Sequence, residues 1–143
     1  MGEDLKNIPY ELVTWRSLYA LADFIQDTGF KDALIDALID WMTTWKKWPL
    51  KVATYIYPYS KQNSPHRQLA VDLFVNVQRR ELISDRLDQQ MEFMQDIIKA
   101  IAPNLQDGIK CVRIQAWFKG LDGCKYHDHG DKPCYKTKPA FRF

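Results

Sequence analysis

The sequence predicts an all-α fold: an antiparallel helical bundle of about five helices with a small Cys/His metal loop at its C-terminal end. Three observations carry this. Apolar residues recur at helical spacing in one segment after another, as in Leu34, Leu38, Trp41 and Trp45. Prolines and helix-capping residues punctuate those segments, most clearly Ser64-Pro65. Four soft-metal ligands, Cys124, His127, His129 and Cys134, then crowd into one short stretch.

The elements follow in order. Pro9 suits a first helical turn, and from Tyr10 to Thr28 the residues Leu18, Leu21, Ala22 and Ile25 form one apolar face. Gly29 is expected as the left-handed cap of that helix. A second helix runs from about Lys31 to Lys46, with Ile35, Ile39 and Met42 beside the Leu34 stripe and Lys46-Lys47 at the negative end of its dipole. The short connection makes the two an antiparallel hairpin. Pro49 opens a short third helix to about Ile56, ended by Pro58 and the polar run Ser60-Lys61-Gln62-Asn63. Ser64 and Pro65 start the fourth, which turns Leu69, Ala70, Leu73, Phe74 and Val77 inward; His66, in its first turn, reads as solvated. Ser84 and Asp85 start the fifth, whose stripe Leu87, Met91, Met94, Ile98 and Ile101 is expected in the core, although paired methionines also suit an adaptable partner groove. Pro103 ends it.

The segment from Leu105 to Lys119 reads two ways. Val112, Ile114, Ala116 and Phe118 alternate as in a strand, whereas Ile109, Val112 and Ala116 suit a helix. A lone strand would have no partner, so a short helix or extended arm is expected, with Trp117 and Phe118 packing the metal loop onto the bundle. Residues 1–119 thus form the helical domain, and residues 120–143 the Cys2His2 loop followed by a mobile basic-aromatic tail from Tyr135 to Phe143.

Composition narrows the function. The chain has 143 residues and a formal net charge of +2, which does not point to a nucleic acid or a membrane. Its 3 cysteines form no disulfide framework, which favours a reducing, intracellular compartment, cytoplasmic or nuclear, with Cys111 a buried thiol. Gly2-Glu3-Asp4 is acidic where a secretory leader is basic, and no apolar run reaches the roughly 18 residues of a membrane span. Trp41, Trp45 and Trp48 fall close together; tryptophan favours cores, and this cluster is also where an exposed patch for a protein partner is expected.

The spacing C-x2-H-x-H-x4-C can close a tetrahedral N2S2 site in one loop, with Gly130 and Pro133 supplying bends. Thiolates with imidazoles favour zinc over calcium or magnesium, and four protein ligands leave no open position, so one structural ion is expected rather than a catalytic one. His127-Asp128-His129-Gly130-Asp131 resembles the H-x-H-x-D-H signature of metallo-β-lactamases, but Lys132 stands where that signature needs histidine. A metal-dependent hydrolase using His127 and His129 is therefore the weaker alternative. A nucleic-acid-binding tail is the other, through Lys136, Lys138 and Arg142 with Phe141 and Phe143 interleaved. Phosphate-binding loops, dinucleotide fingerprints and nucleophile elbows are absent from the sequence.

Leu18-Tyr19-Ala20-Leu21-Ala22-Asp23-Phe24, followed by Phe30-Lys31-Asp32-Ala33-Leu34-Ile35-Asp36-Ala37-Leu38-Ile39, resembles the segment that closes the BTB/POZ domain of fungal BTB proteins. In that family a proline-led short helix, an SPLRRLLVD-like helix and a long amphipathic helix come next. Here Pro49 to Tyr57, Ser64 to Asp72 and the helix from Ser84 look similar. Many members end in C-x-Y-H-x-H…C, which Cys124-Lys125-Tyr126-His127-Asp128-His129 and Cys134 match. The resemblance implies the BACK-like helical region after the BTB fold, acting as a non-enzymatic adaptor for a protein partner. The strands and dimerisation helix of the BTB fold itself are not among these residues, so its self-association and cullin recruitment are not implied for them.

Overall fold

The computed structural model describes residues 10–47, 49, 51–77, 91–104 and 112–139. Among them are six α-helices and no strand. Helix α1 spans Tyr10–Phe24 and α2 Thr28–Trp45. The core face of α1 is Leu12, Trp15, Tyr19 and Ala22; of the expected Leu18-Leu21-Ala22-Ile25 stripe, Ala22 is buried and Leu18 packs against the core, whereas Leu21 and Ile25 face solvent. The aromatics decide the rotation. Trp15 stacks on Tyr19 with ring centroids 5.1 Å apart, and its indole N–H donates to the Leu34 carbonyl of α2. Two rings bury more apolar area than the aliphatic side chains they displace.

Helix α1 also stops earlier than expected. Gln26 takes the left-handed conformation at φ 55°, and Asp27 caps α2 by accepting the Phe30 N–H at 3.0 Å. Gly29, expected as the cap of α1, therefore lies in the first turn of α2. Along α2, Leu34, Ile35, Leu38 and Met42 enter the core. Trp41 is half-buried against them, whereas Trp45 is 60 % exposed. Lys46, at φ 54°, closes the helix. Trp48 lies outside the described residues.

Helix α3, Val52–Ile56, ends where expected, and a 3-10 turn over Tyr57–Tyr59 containing Pro58 follows it directly. Helix α4, Pro65–Asn76, starts as the sequence indicates: Ser64 Oγ accepts the Arg67 N–H at 3.3 Å. Buried Arg67 fixes this connection. Its guanidinium donates to the Tyr57 and Ser60 carbonyls and lies 4.5 Å from the Tyr57 ring centre. It also reaches Glu92 of α5, Met91–Ile101.

Helix α5 turns most of its expected stripe to solvent, although Ile101 packs against the core. Met91, Met94 and Ile98 are exposed, and Phe93 and Ile97 are the core residues. Phe93 meets Phe74 and Tyr57 edge-on at centroid distances of 5.7 and 5.4 Å, a geometry that aromatic pairs favour. Ser84, Asp85 and Leu87 lie outside the described residues. Helix α6, Ile114–Phe118, settles that part of the ambiguous segment as helix; its start is tethered by the Val112 N–H to the Asn76 carbonyl at 2.6 Å. Residues 105–111, Cys111 among them, are outside the description. No described helix is long and apolar enough to cross a membrane.

The C-terminal segment joins the same core. Tyr126 is buried in one cluster with Tyr19, Leu38 and Leu73. Trp117 N–H donates to the Tyr126 hydroxyl at 3.1 Å and Phe118 packs edge-on against its ring, which is the packing role expected for these two residues. Tyr126 in turn donates to Asp72 at 2.7 Å.

Candidate metal centre

The loop after α6 brings Cys124, His127, His129 and Cys134 together. One ligand atom from each lies within 4.8 Å of all the others. In a tetrahedral zinc shell such atoms stand about 3.3–3.8 Å apart, given bond lengths near 2.0–2.3 Å. Cys134 Sγ and His127 Nδ1 are already 3.4 Å apart. All four sequence-predicted ligands are therefore in one place. Both cysteines are free thiols.

The loop backbone makes this convergence local. A turn closes from the His127 N–H to the Cys124 carbonyl at 3.1 Å, and a second from the Lys132 N–H to the His129 carbonyl at 3.1 Å. Gly130 lies inside the second turn at φ 58°, a conformation costly for most other residues. Beyond Cys134 the chain forms a 3-10 turn, Tyr135–Thr137. Tyr135 is buried, which corrects the expected mobile tail as far as Pro139; residues 140–143 lie outside the description. The tail is held because Tyr135 donates its hydroxyl to Asp36 of α2 and Lys136 Nζ lies 3.4 Å from the same carboxylate.

Gly29 permits this docking. A Cβ there would stand 3.3 Å from the Tyr135 Cβ. Gly29→Val is expected to push the 3-10 turn off α2 and destabilise the fold by about 1–3 kcal/mol, the usual range for overpacking. Urea denaturation checks this; an unchanged midpoint would show that the turn is not held there.

The ring nitrogens are sorted by their hydrogen bonds. His127 Nε2 lies 2.9 Å from Asp36 Oδ1. Burial raises the Asp36 acid, but hydrogen bonds from His127 and Tyr135 outweigh it and hold the carboxyl below its usual range. Asp36 is thus an acceptor, His127 Nε2 carries the hydrogen, and Nδ1 faces the thiols. His129 Nδ1 donates to the Gly130 carbonyl at 2.9 Å, which leaves a lone pair on Nε2. That Nε2 is buried with no hydrogen-bond partner. A buried acceptor without a partner costs about 1–3 kcal/mol, and a metal ion is what this donor set would satisfy it with.

The thiols differ. Burial works against the Cys134 thiolate, but hydrogen bonds from the Lys136 backbone, Cys124 and His127 prevail and lower its pKa. Burial, then the neighbouring Cys134, raises that of Cys124. Burial also opposes protonation of His127, yet Asp36 outweighs it and lifts its pKa. A metal held by these atoms would therefore compete with protons for them, and its binding would release protons.

Behind the loop lies a buried relay. His66, read from the sequence as solvated, is fully buried. It contacts the Tyr19 hydroxyl through Nδ1 at 2.8 Å and Asp32 Oδ1 through Nε2 at 2.8 Å. Burial first, then the nearby carboxylates of Asp128, Asp23 and Asp32, push the Tyr19 phenol far up, so it stays protonated and donates. The same Asp32 Oδ1 accepts the Asp128 N–H at 2.8 Å, between His127 and His129. Sequence reasoning missed Asp32, Asp36, His66 and Tyr19. The available signal was two carboxylates one helical turn apart beside an apolar stripe, where carboxylates are seldom placed without partners.

Compared with known proteins, the chain matches no family model, no curated protein and no solved structure.

Proposed function

We propose that Cys124, His127, His129 and Cys134 bind one structural zinc ion, and that the chain is a non-enzymatic protein-interaction module latched by that ion. The convergence of four soft ligands, one of them a buried and unpartnered His129 Nε2, carries the metal reading. Two sulfurs and two nitrogens suit zinc, and four protein ligands leave no position for a reacting water. The ion's part is to fold the C-terminal segment onto α2, because binding energy at such a site is folding energy. Thiolate ligands imply a reducing, intracellular setting.

The interaction role is supported by apolar side chains that the bundle leaves in water. Phe24 is 84 % exposed, Met91 74 % and Ile98 64 %, with Trp45 at the end of α2. Trp41 is the weaker candidate of the tryptophan group, since it leans on the core. Met91, Met94 and Ile98 share one face of α5, and contiguous exposed apolar surface commonly marks a contact site, with methionine adapting to varied partners. The resemblance to the BACK-like helices of fungal BTB proteins is consistent with an adaptor and is offered as part of this proposal.

The test is elemental analysis of the purified chain with a chelation series. One zinc per chain, lost in Cys124→Ser, is the expected result. A metal-free protein with both thiols titratable would overturn the metal reading. Metal-dependent hydrolysis, or nucleic-acid affinity falling steeply with salt, would replace the interaction role.

A further inference from the structure

We infer that helix α2 supplies the outer shell of the metal centre, with Asp36 and Asp32 as positioning residues that set the ligands in place. This rests on the zinc reading above and extends it to residues outside the loop. Asp36 touches the site on one side: it receives His127 Nε2 at 2.9 Å, which fixes the tautomer and turns Nδ1 toward Cys134. The same carboxylate receives the Tyr135 hydroxyl, next in sequence to Cys134. Asp32, one helical turn earlier, accepts the Asp128 N–H at 2.8 Å and so pins the backbone between His127 and His129. Each protein-side contact constrains a ligand or its immediate chain neighbour. Metal-bound histidines typically carry such a carboxylate on the far nitrogen, and its loss costs about 10–100-fold in affinity.

The burial of Asp32 strengthens the inference. Its side chain is fully buried, and Oδ2 has no hydrogen-bond partner. An apolar residue of similar volume would satisfy the core at lower cost. What the carboxylate adds is one oxygen shared by His66 Nε2 and the Asp128 N–H, which ties the ligand loop to α4 as well as α2.

The experiment is a zinc and cobalt titration of the full chain, with chelator competition for affinity and the visible cobalt band as the signature of ligand geometry. Asp36→Ala is expected to bind zinc about 10–100-fold more weakly than the parent and to shift the cobalt band. Asp36→Asn, whose Oδ1 can still accept from His127, is expected to recover part of the affinity and to keep the fold should the alanine variant lose it. Parent-like affinity and spectrum in Asp36→Ala, whatever its stability, would overturn the inference. An absence of metal binding by the parent chain would instead overturn the zinc reading itself, so the two failures are distinct.

Discussion

Stripping zinc from the loaded chain is expected to lower its unfolding temperature by about 8–16 °C. A ligand held at roughly 1,000 times its dissociation constant stabilises the native state by about 4 kcal/mol. In a protein of this size each kcal/mol moves the midpoint by about 2–4 °C. The sequence alone suggests that Cys124→Ser or His129→Ala would loosen the tail and leave the helices folded. The structure makes the separation less complete. Tyr126, inside the ligand loop, is buried in the same core as Tyr19, Leu38 and Leu73. Asp128 and His127 are bonded to Asp32 and Asp36 of α2. The helices are thus expected to persist without metal but to melt earlier, in one transition with the loop. Calorimetry with and without chelator, alongside far-UV and tryptophan signals, checks this. Unfolding of the loop in a separate, earlier transition, with the helical midpoint unchanged, would mean that the loop is attached to the bundle but not coupled to it.

The same coupling explains which features could be read from the chain and which could not. The clustering of Cys124, His127, His129 and Cys134 was readable because it is local: four such side chains with bends between them come together without help from the rest of the fold. The start of α4 was readable for the same reason, since Ser64 and Pro65 act on their own helix. The rotation of α1 and α5 was not. Periodicity marks several apolar stripes, and contacts from distant residues choose among them. Trp15 and Tyr19 turn α1 toward Leu34, and Phe93 turns α5 toward Phe74, so the Met91-Met94-Ile98 stripe faces water. His66 was misplaced because its partners lie far away in sequence, on α1 and α2. Near it the sequence offers no acid or cysteine to betray the bond. Gly29 looked like a helix cap because its neighbour in space, Tyr135, is likewise remote in sequence.

His66→Ala is expected to destabilise the chain by about 3 kcal/mol, the cost of leaving buried polar groups without a hydrogen-bond partner, at the upper end because one of them is a carboxylate. A solvated first-turn histidine would cost little, within about 0.5 kcal/mol, so the two readings differ by several-fold. The relay runs in one direction. Protonated Tyr19 donates to His66 Nδ1, which places the imidazole hydrogen on Nε2, and Nε2 donates to Asp32. Without His66, Asp32 Oδ1 would keep only the Asp128 N–H, and Oδ2 already has no hydrogen-bond partner. The Tyr19 hydroxyl would lose its acceptor as well. Asp32→Leu alone would cost less, because it removes the buried carboxylate itself and leaves only the His66 Nε2–H and the Asp128 N–H without their acceptor. A double variant, His66→Ala with Asp32→Leu, should therefore cost less than the sum of the single changes, with a coupling of about 0.5–3 kcal/mol in a double-mutant cycle. Urea denaturation of the four proteins measures it. Strict additivity would show that His66 and Asp32 are neighbours without a shared bond, and the tether from the ligand loop to α4 would then be lost from the account, while Asp36 would still join that loop to α2.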